Sequence, residues 1–263
     1  MAKRSAGLLM AIDVGNTQTV IGLYRGAKLL RHWRLVTEPD RTADEYGMLL
    51  WTLYHASEIE TSTVGAIAVS CVVPPMTRVV EELCRTYFKT DPLVVGPGVK
   101  TGMPILYDNP REVGADRIVN AVAAFERTKD VTIVVDFGTA TTFDFITGKG
   151  EYVGGAIVPG IGISLDALYT RTAKLPRVEL SRPPRVVGRN TTHAIQAGVT
   201  YGYVSMVDGV VRQIQEQEEV QARVLATGGL ASLIAEQSQT IESVDEFLTL
   251  DGLRIVYERN AGA

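Results

Sequence analysis

Twice along this chain a run of apolar residues ends in an aspartate, one further apolar residue and a glycine. The first copy is Met10-Ala11-Ile12-Asp13-Val14-Gly15-Asn16-Thr17-Gln18-Thr19-Val20. The second is Ile133-Val134-Val135-Asp136-Phe137-Gly138-Thr139-Ala140-Thr141-Thr142-Phe143-Asp144, and the two align with Asp13 on Asp136 and Gly15 on Gly138. Each reads as a strand, a tight turn and a returning strand, because apolar residues lead in and glycine lets the backbone double back. One acid-x-Gly turn is ordinary loop chemistry. Two aligned copies in opposite halves imply a unit that is built twice. The turn chemistry narrows the function as well. Backbone N–H groups at a glycine turn can point together at an anion, Thr139, Thr141 and Thr142 can add hydroxyl donors, and Asp136 offers a hard oxygen to a cation. The hairpins are expected to face phosphate.

The elements around each hairpin repeat in the same order. In the first half, residues 8–13, 19–24 and 28–36 read as an antiparallel meander. Thr42 and Glu45 form a capping box that opens a helix with Tyr46, Leu49, Leu50, Leu53 and Tyr54 on one face. An apolar strand over 65–73 runs into a helix opened by Pro74-Pro75, a short strand covers 93–95, and a helix over 115–127 closes the half. The second half gives strands at 131–136, 141–147, 152–158 and 222–226, with helices from about 162, over 191–217, over 230–236 and over 252–259. In the long helix Gly198 and Gly202 sit one turn apart. Each interior glycine costs about 1 kcal/mol relative to alanine, so the pair points to close approach by another helix, of this chain or of a partner subunit.

Composition excludes several classes of function. The 263 residues are 46% hydrophobic and 21% charged, as in ordinary globular proteins, and suffice for two domains. A net charge of -4 with no basic run gives no footprint for nucleic acid. The apolar stretch that follows Lys3 and Arg4 ends at Asp13, too early for a signal peptide or membrane span, so no membrane association and a cytoplasmic location are expected. Cys71 and Cys84 fall on apolar elements as buried thiols, and the three histidines have no metal-ligand spacing.

Five motifs in order carry a family resemblance: Asp13-Val14-Gly15-Asn16-Thr17, Tyr107-Asp108-Asn109-Pro110 with Gly114-Ala115-Asp116-Arg117, Asp136-Phe137-Gly138-Thr139-Ala140-Thr141-Thr142, Gly154-Gly155-Ala156-Ile157-Val158-Pro159-Gly160, and Thr227-Gly228-Gly229. Their order and spacing over nearly the whole chain resemble the type III pantothenate kinases, in the superfamily of acetate and sugar kinases, Hsp70 and actin. The resemblance implies an α/β fold of two RNase H-like (actin-like ATPase) βββαβαβα domains, 1–127 and 128–263, with the active site in the cleft between them. The implied reaction is phosphorylation of pantothenate by ATP to 4'-phosphopantothenate, the first step towards coenzyme A.

The resemblance also implies roles for residues. Asp13 holds Mg²⁺ directly or through water, while Val14, Gly15, Asn16, Thr17, Gln18, Thr19 and Val20, with Thr139, receive the ATP phosphates. Asp136 is associated with a monovalent cation, K⁺ or NH₄⁺. Tyr107, Gly114, Ala115, Asp116, Arg117 and Thr191 contact pantothenate, with Asp116 the general base and the Arg117 fork suited to a carboxylate. Gly228-Gly229 is the adenosine-side turn, and the protein is a homodimer. Asp116 stands in the first turn of a helix, where the dipole favours its ionised form. Two other functions remain compatible with this architecture: phosphorylation of another small hydroxy compound, and ATP binding without turnover in a regulatory protein. Gly96-Pro97-Gly98-Val99-Lys100-Thr101-Gly102 is not a phosphate loop, since Pro104 and Asn109-Pro110 prevent it from opening into a helix.

Overall fold

The structure, a computed structural model, describes residues 7–261. The polar leader before residue 7 lies outside the described residues. The elements are β1 (Leu8–Val14), β2 (Gln18–Arg25), β3 (Lys28–Val36), α1 (Ala43–Ala56), β4 (Val64–Cys71), α2 (Pro74–Phe88), β5 (Leu93–Val94) and α3 (Ala115–Thr128). They continue as β6 (Thr132–Phe137), β7 (Ala140–Ile146), β8 (Tyr152–Pro159), α4 (Ile161–Arg171), α5 (Thr191–Gln217), β9 (Arg223–Thr227), α6 (Ala231–Ala235), β10 (Ser243–Val244) and α7 (Leu248–Ala261).

Two five-stranded sheets result, ordered β3-β2-β1-β4-β5 and β10-β9-β6-β7-β8. In the first, β1 pairs antiparallel with β2 and parallel with β4; in the second, β6 pairs antiparallel with β7 and parallel with β9. The central strand of each sheet is therefore the strand that ends in the acid-x-Gly turn. β10, which has no counterpart in the sequence reading, pairs parallel with β9 as β5 does with β4 and completes the duplication.

The helices form where the patterns require. Thr42 caps α1 with a reciprocal box: Glu45 N–H donates to Thr42 Oγ1 at 3.3 Å, and Thr42 N–H donates to Glu45 Oε2 at 2.8 Å. One face of α1 (Tyr46, Leu50, Tyr54) and one of α2 (Met76, Val80, Leu83, Cys84) bury against Met10, Ile12, Ile67 and Val69 in the first core. Burial pushes the Cys84 thiol up to about 12, which makes it inert as a nucleophile. The second core joins Ile133, Val135, Phe143 and Phe145 to Val199, Val207 and Val211 of α5. Residues 96–102 form turns and no helix.

The chain divides into two compact units. The first takes the chain up to Met103, Asn109–Ala123 and the chain from Thr249 onward; the second takes Pro104–Asp108 and Ala124–Leu248. The division falls within α3 a few residues before the boundary expected at 127, and the last helix counts with the first unit rather than with the half that precedes it. Its anchors are specific: Tyr24 OH donates to Asp251 Oδ1 at 2.8 Å, and Gly252 lies so close to the Val119 carbonyl that no side chain fits. Among the described residues no helix is long and apolar enough to cross a membrane.

Candidate active site

In the first unit β1 turns at Gly15, whose N–H donates to Gln18 O at 3.0 Å and closes the hairpin. Asp13, one residue before the strand end, is opposite Val20 in β2 and Ser70 in β4. Asn16, Thr17 and Gln18 form an exposed tip. Thr19 does not belong to that tip, because its buried hydroxyl is bonded to Thr37 Oγ1 at 2.9 Å. Only its backbone is left to meet a ligand.

The second unit repeats this geometry with differences that matter. Gly138 N–H donates to Ala140 O at 3.0 Å, and Asp136 is opposite Thr142 in β7 and Thr227 in β9. Of the three threonines expected to donate to an anion, only Thr139 is exposed at the turn. Thr141 is fully buried, and Thr142 Oγ1 donates to Asp144 Oδ2 at 3.1 Å. Two glycines support the turn. Gly160 N–H donates to Thr139 O at 3.1 Å, and its Cα sits so near the Gly138 and Thr139 carbonyls that a side chain would displace them. Gly228, at φ 92°, closes β9 against β6: a Cβ there would stand 2.6 Å from Phe137 O and 2.7 Å from Asp136 Oδ1. Thr227-Gly228-Gly229 and the Asp136 hairpin are thus one structure.

The strand ends of the first unit also meet the start of α3. Val72 N–H donates to Val14 O at 3.1 Å, and a Val72 methyl lies 3.6 Å from where a Gly114 Cβ would be. The Asp116 carboxylate lies directly over Gly114 Cα, and its Oδ1 accepts from Arg117 N–H at 2.7 Å. Burial pushes the Asp116 carboxyl above the usual aspartate range, against the lowering effects of the Arg117 amide and the Arg117 charge. The helix N-terminus predicts the opposite direction; desolvation of this partly exposed carboxylate outweighs it. Arg117 is itself only 8% exposed. An acid raised by burial near the C-terminal ends of parallel strands is equipped to take a proton.

Tyr107 is half-buried, with its ring 3.4 Å from where a Gly154 Cβ would be and its centroid 6.5 Å from that of Tyr152. Thr191 is elsewhere in the second unit. It opens α5 beside the cap formed by Asn190, whose Oδ1 accepts from His193 N–H at 2.8 Å, and it lines a groove of ≈ 820 Å³ with Leu168, Ile195, Tyr203 and Met206. Gly198 and Gly202 open onto the same groove, and nothing lies within 4 Å of a Cβ at either. Among the described residues no other helix comes within 4 Å of a Cβ at either glycine.

Residues 9–213 match the family model described as Type III pantothenate kinase. A type III pantothenate kinase of Anaeromyxobacter sp. strain K is 59% identical over 253 residues, 96% of this chain and 100% of that protein. Among solved structures, component A of (R)-2-hydroxyglutaryl-CoA dehydratase from Acidaminococcus fermentans superposes with a TM-score of 0.58 at 12% identity, covering 97% of this chain and 99% of the other. Inorganic polyphosphate/ATP-glucomannokinase from Arthrobacter sp. strain KM gives 0.51 at 13% identity, covering 97% and 98%. These two likenesses concern the fold, an actin-like ATPase and sugar-kinase architecture.

Proposed function

The chain belongs to the type III pantothenate kinase family, and we propose that Asp116 is the base in its transfer of a phosphoryl group from ATP to pantothenate. The reaction gives ADP and 4'-phosphopantothenate and opens coenzyme A biosynthesis. Phosphoryl transfer asks little covalent work of a protein; it needs the phosphate charge balanced and the attacking hydroxyl placed in line. The observation that carries the assignment is the Asp116 carboxyl, raised by burial over Gly114 and fixed by the Arg117 amide. Such a group can accept the hydroxyl proton as the oxygen attacks phosphorus. Arg117 then receives the pantothenate carboxylate, with Tyr107, Gly114, Ala115 and Thr191 as further contacts.

For ATP, the backbone from Val14 to Val20 and Thr139 receive the phosphates. Mg²⁺ characteristically takes one or two carboxylates together with substrate phosphates and water, and Asp13, partly exposed at the end of β1, suits that use. Bound there, the ion would neutralise phosphate charge. Asp136, the counterpart of Asp13 in the second hairpin, suits a monovalent cation. An acid beside a polyphosphate repels it unless a cation stands between them. Mass spectrometry of pantothenate incubated with the protein, ATP and Mg²⁺ is therefore expected to show the phosphorylated product, formed faster in potassium than in sodium buffer. Equal rates in the two buffers would remove the selective site at Asp136, and no product in either would remove the catalytic reading.

The open groove along α5 supports a homodimer, with a second copy covering Gly198, Gly202 and the apolar residues beside them. Light scattering at micromolar concentration should give the mass of a dimer. Because open space surrounds both glycines within the chain, Gly198→Leu and Gly202→Leu should leave the monomer folded and abolish the dimer. A wild-type protein that scatters as a monomer would contradict this assembly.

A further inference from the structure

Asp144 is a carboxylate that the phosphoryl transfer does not use, although it is fully buried on β7. It accepts from Tyr152 OH at 2.7 Å and from Thr142 Oγ1 at 3.1 Å. Removing a carboxylate from water is costly, and apolar residues of similar volume would fill the same space without that cost. The pair of Asp144 and Tyr152 therefore calls for a role beyond filling the interior.

Tyr152 supplies one through its neighbours. It is fully buried at the start of β8, opposite Ile146, where the register with β7 shifts between Phe145 and Ile146. Its N–H donates to Pro104 O at 2.9 Å, and its carbonyl accepts from Leu106 N–H at 2.8 Å, so residues 104–106 run beside it as a parallel bridge. That bridge delivers the next residue, Tyr107, over the strand. The Tyr107 ring then lies beside the Tyr152 ring and against Gly154, whose φ of 150° and missing side chain leave room for it. Tyr152 is thus held at its hydroxyl by Asp144, holds the approach to Tyr107 with its backbone, and flanks Tyr107 with its ring.

We propose that Asp144 and Tyr152 are positioning residues for the acceptor: the carboxylate fixes the Tyr152 ring, and that ring fixes Tyr107 against pantothenate. The proposal rests on the reading that Tyr107 contacts pantothenate. The hydrogen bond to Asp144 restrains the tilt of the Tyr152 ring, and the Tyr107 ring beside it is restrained in turn. Small displacements of positioning groups weaken binding strongly.

Steady-state kinetics of the full-length enzyme test the proposal. Tyr152→Phe keeps the ring and the backbone bridge and removes the hydroxyl. It is expected to raise KM for pantothenate about tenfold while KM for ATP and kcat stay within about twofold of wild type. Asp144→Asn retains an oxygen that can accept from Tyr152, and should give a smaller rise in the same constant. In a Tyr107→Leu background, which itself raises KM for pantothenate, Tyr152→Phe should add nothing further. A Tyr152→Phe enzyme with wild-type KM beside a raised KM in Tyr107→Leu overturns the positioning role alone; an unchanged KM in Tyr107→Leu overturns the reading beneath it. Equal loss for both substrates in Tyr152→Phe or Asp144→Asn also overturns the proposal, since that marks general loosening of the fold. Should Tyr152→Phe fail to fold, the same ratio of the two KM values in Asp144→Asn decides.

Discussion

Asp116→Asn is expected to lower turnover by roughly 10²- to 10⁴-fold, about 3 to 5 kcal/mol of barrier, with the fold and ATP binding intact. The amide has nearly the shape of the carboxylate but cannot accept the hydroxyl proton usefully. The effect on stability has a definite sign. Burial over Gly114 raises the folded-state carboxyl above its ordinary value of 3.8, so the folded protein prefers the protonated form. Its contribution to stability is fully present below that ordinary value and is lost as pH rises through the raised one. Wherever the carboxylate is ionised it therefore costs stability, and the asparagine variant should melt no lower than wild type. A mere helix-end charge behaves differently: its loss would cost at most about 1 kcal/mol of stability and leave turnover unchanged. Steady-state assays at saturating ATP and pantothenate, beside a thermal melt, separate the two. A variant retaining more than about a third of wild-type turnover would refute the assignment.

The second large effect is expected at Gly228. Its backbone is at φ 92°, and a Cβ would come 2.6 Å from Phe137 O and 2.7 Å from Asp136 Oδ1. Gly228→Ala therefore combines backbone strain with a clash against the main chain of the central strand, for roughly 2 to 6 kcal/mol of lost stability. Because the displaced atoms belong to the Asp136 hairpin, KM for ATP should rise as well. The neighbouring Gly229 is the control. Nothing lies within 4 Å of a Cβ there, and Gly229→Ala should stay within about 0.5 kcal/mol of wild type. Equal melting temperatures for the two variants would show that the close approach of Gly228 to β6 is not maintained in solution.

Much of this arrangement is legible in the sequence because it rests on local chemistry. Apolar runs, acid-x-Gly turns and the Thr42 capping box each determine an element from a few neighbouring residues, and the repeated hairpin implies a unit built twice. What is not legible depends on partners distant in sequence. β10 is two exposed residues, Ser243 and Val244, with no pattern of their own; only the edge of β9 makes them a strand. Thr141 looks like a hydroxyl donor to phosphate until the fold is seen to bury it completely. Sequence order assigns α7 to the second half, whereas Tyr24 and Val119 hold it in the first unit. For Asp116 the helix position is readable but the depth of burial is not, and depth sets the sign of the shift. The pairing of Tyr152 with Asp144 depends on a register shift between β7 and β8 that no spacing reveals.

The pH dependence of kcat/KM for pantothenate, measured at saturating ATP and Mg²⁺ in wild type and in Asp116→Asn, tests the role of Asp116 most directly. With Asp116 as the base, wild-type activity falls on the acid side with a single apparent pKa above the ordinary aspartate value of 3.8, and this limb is absent from the residual activity of the variant. A wild-type profile without that limb, or the same limb persisting in Asp116→Asn, would contradict the account.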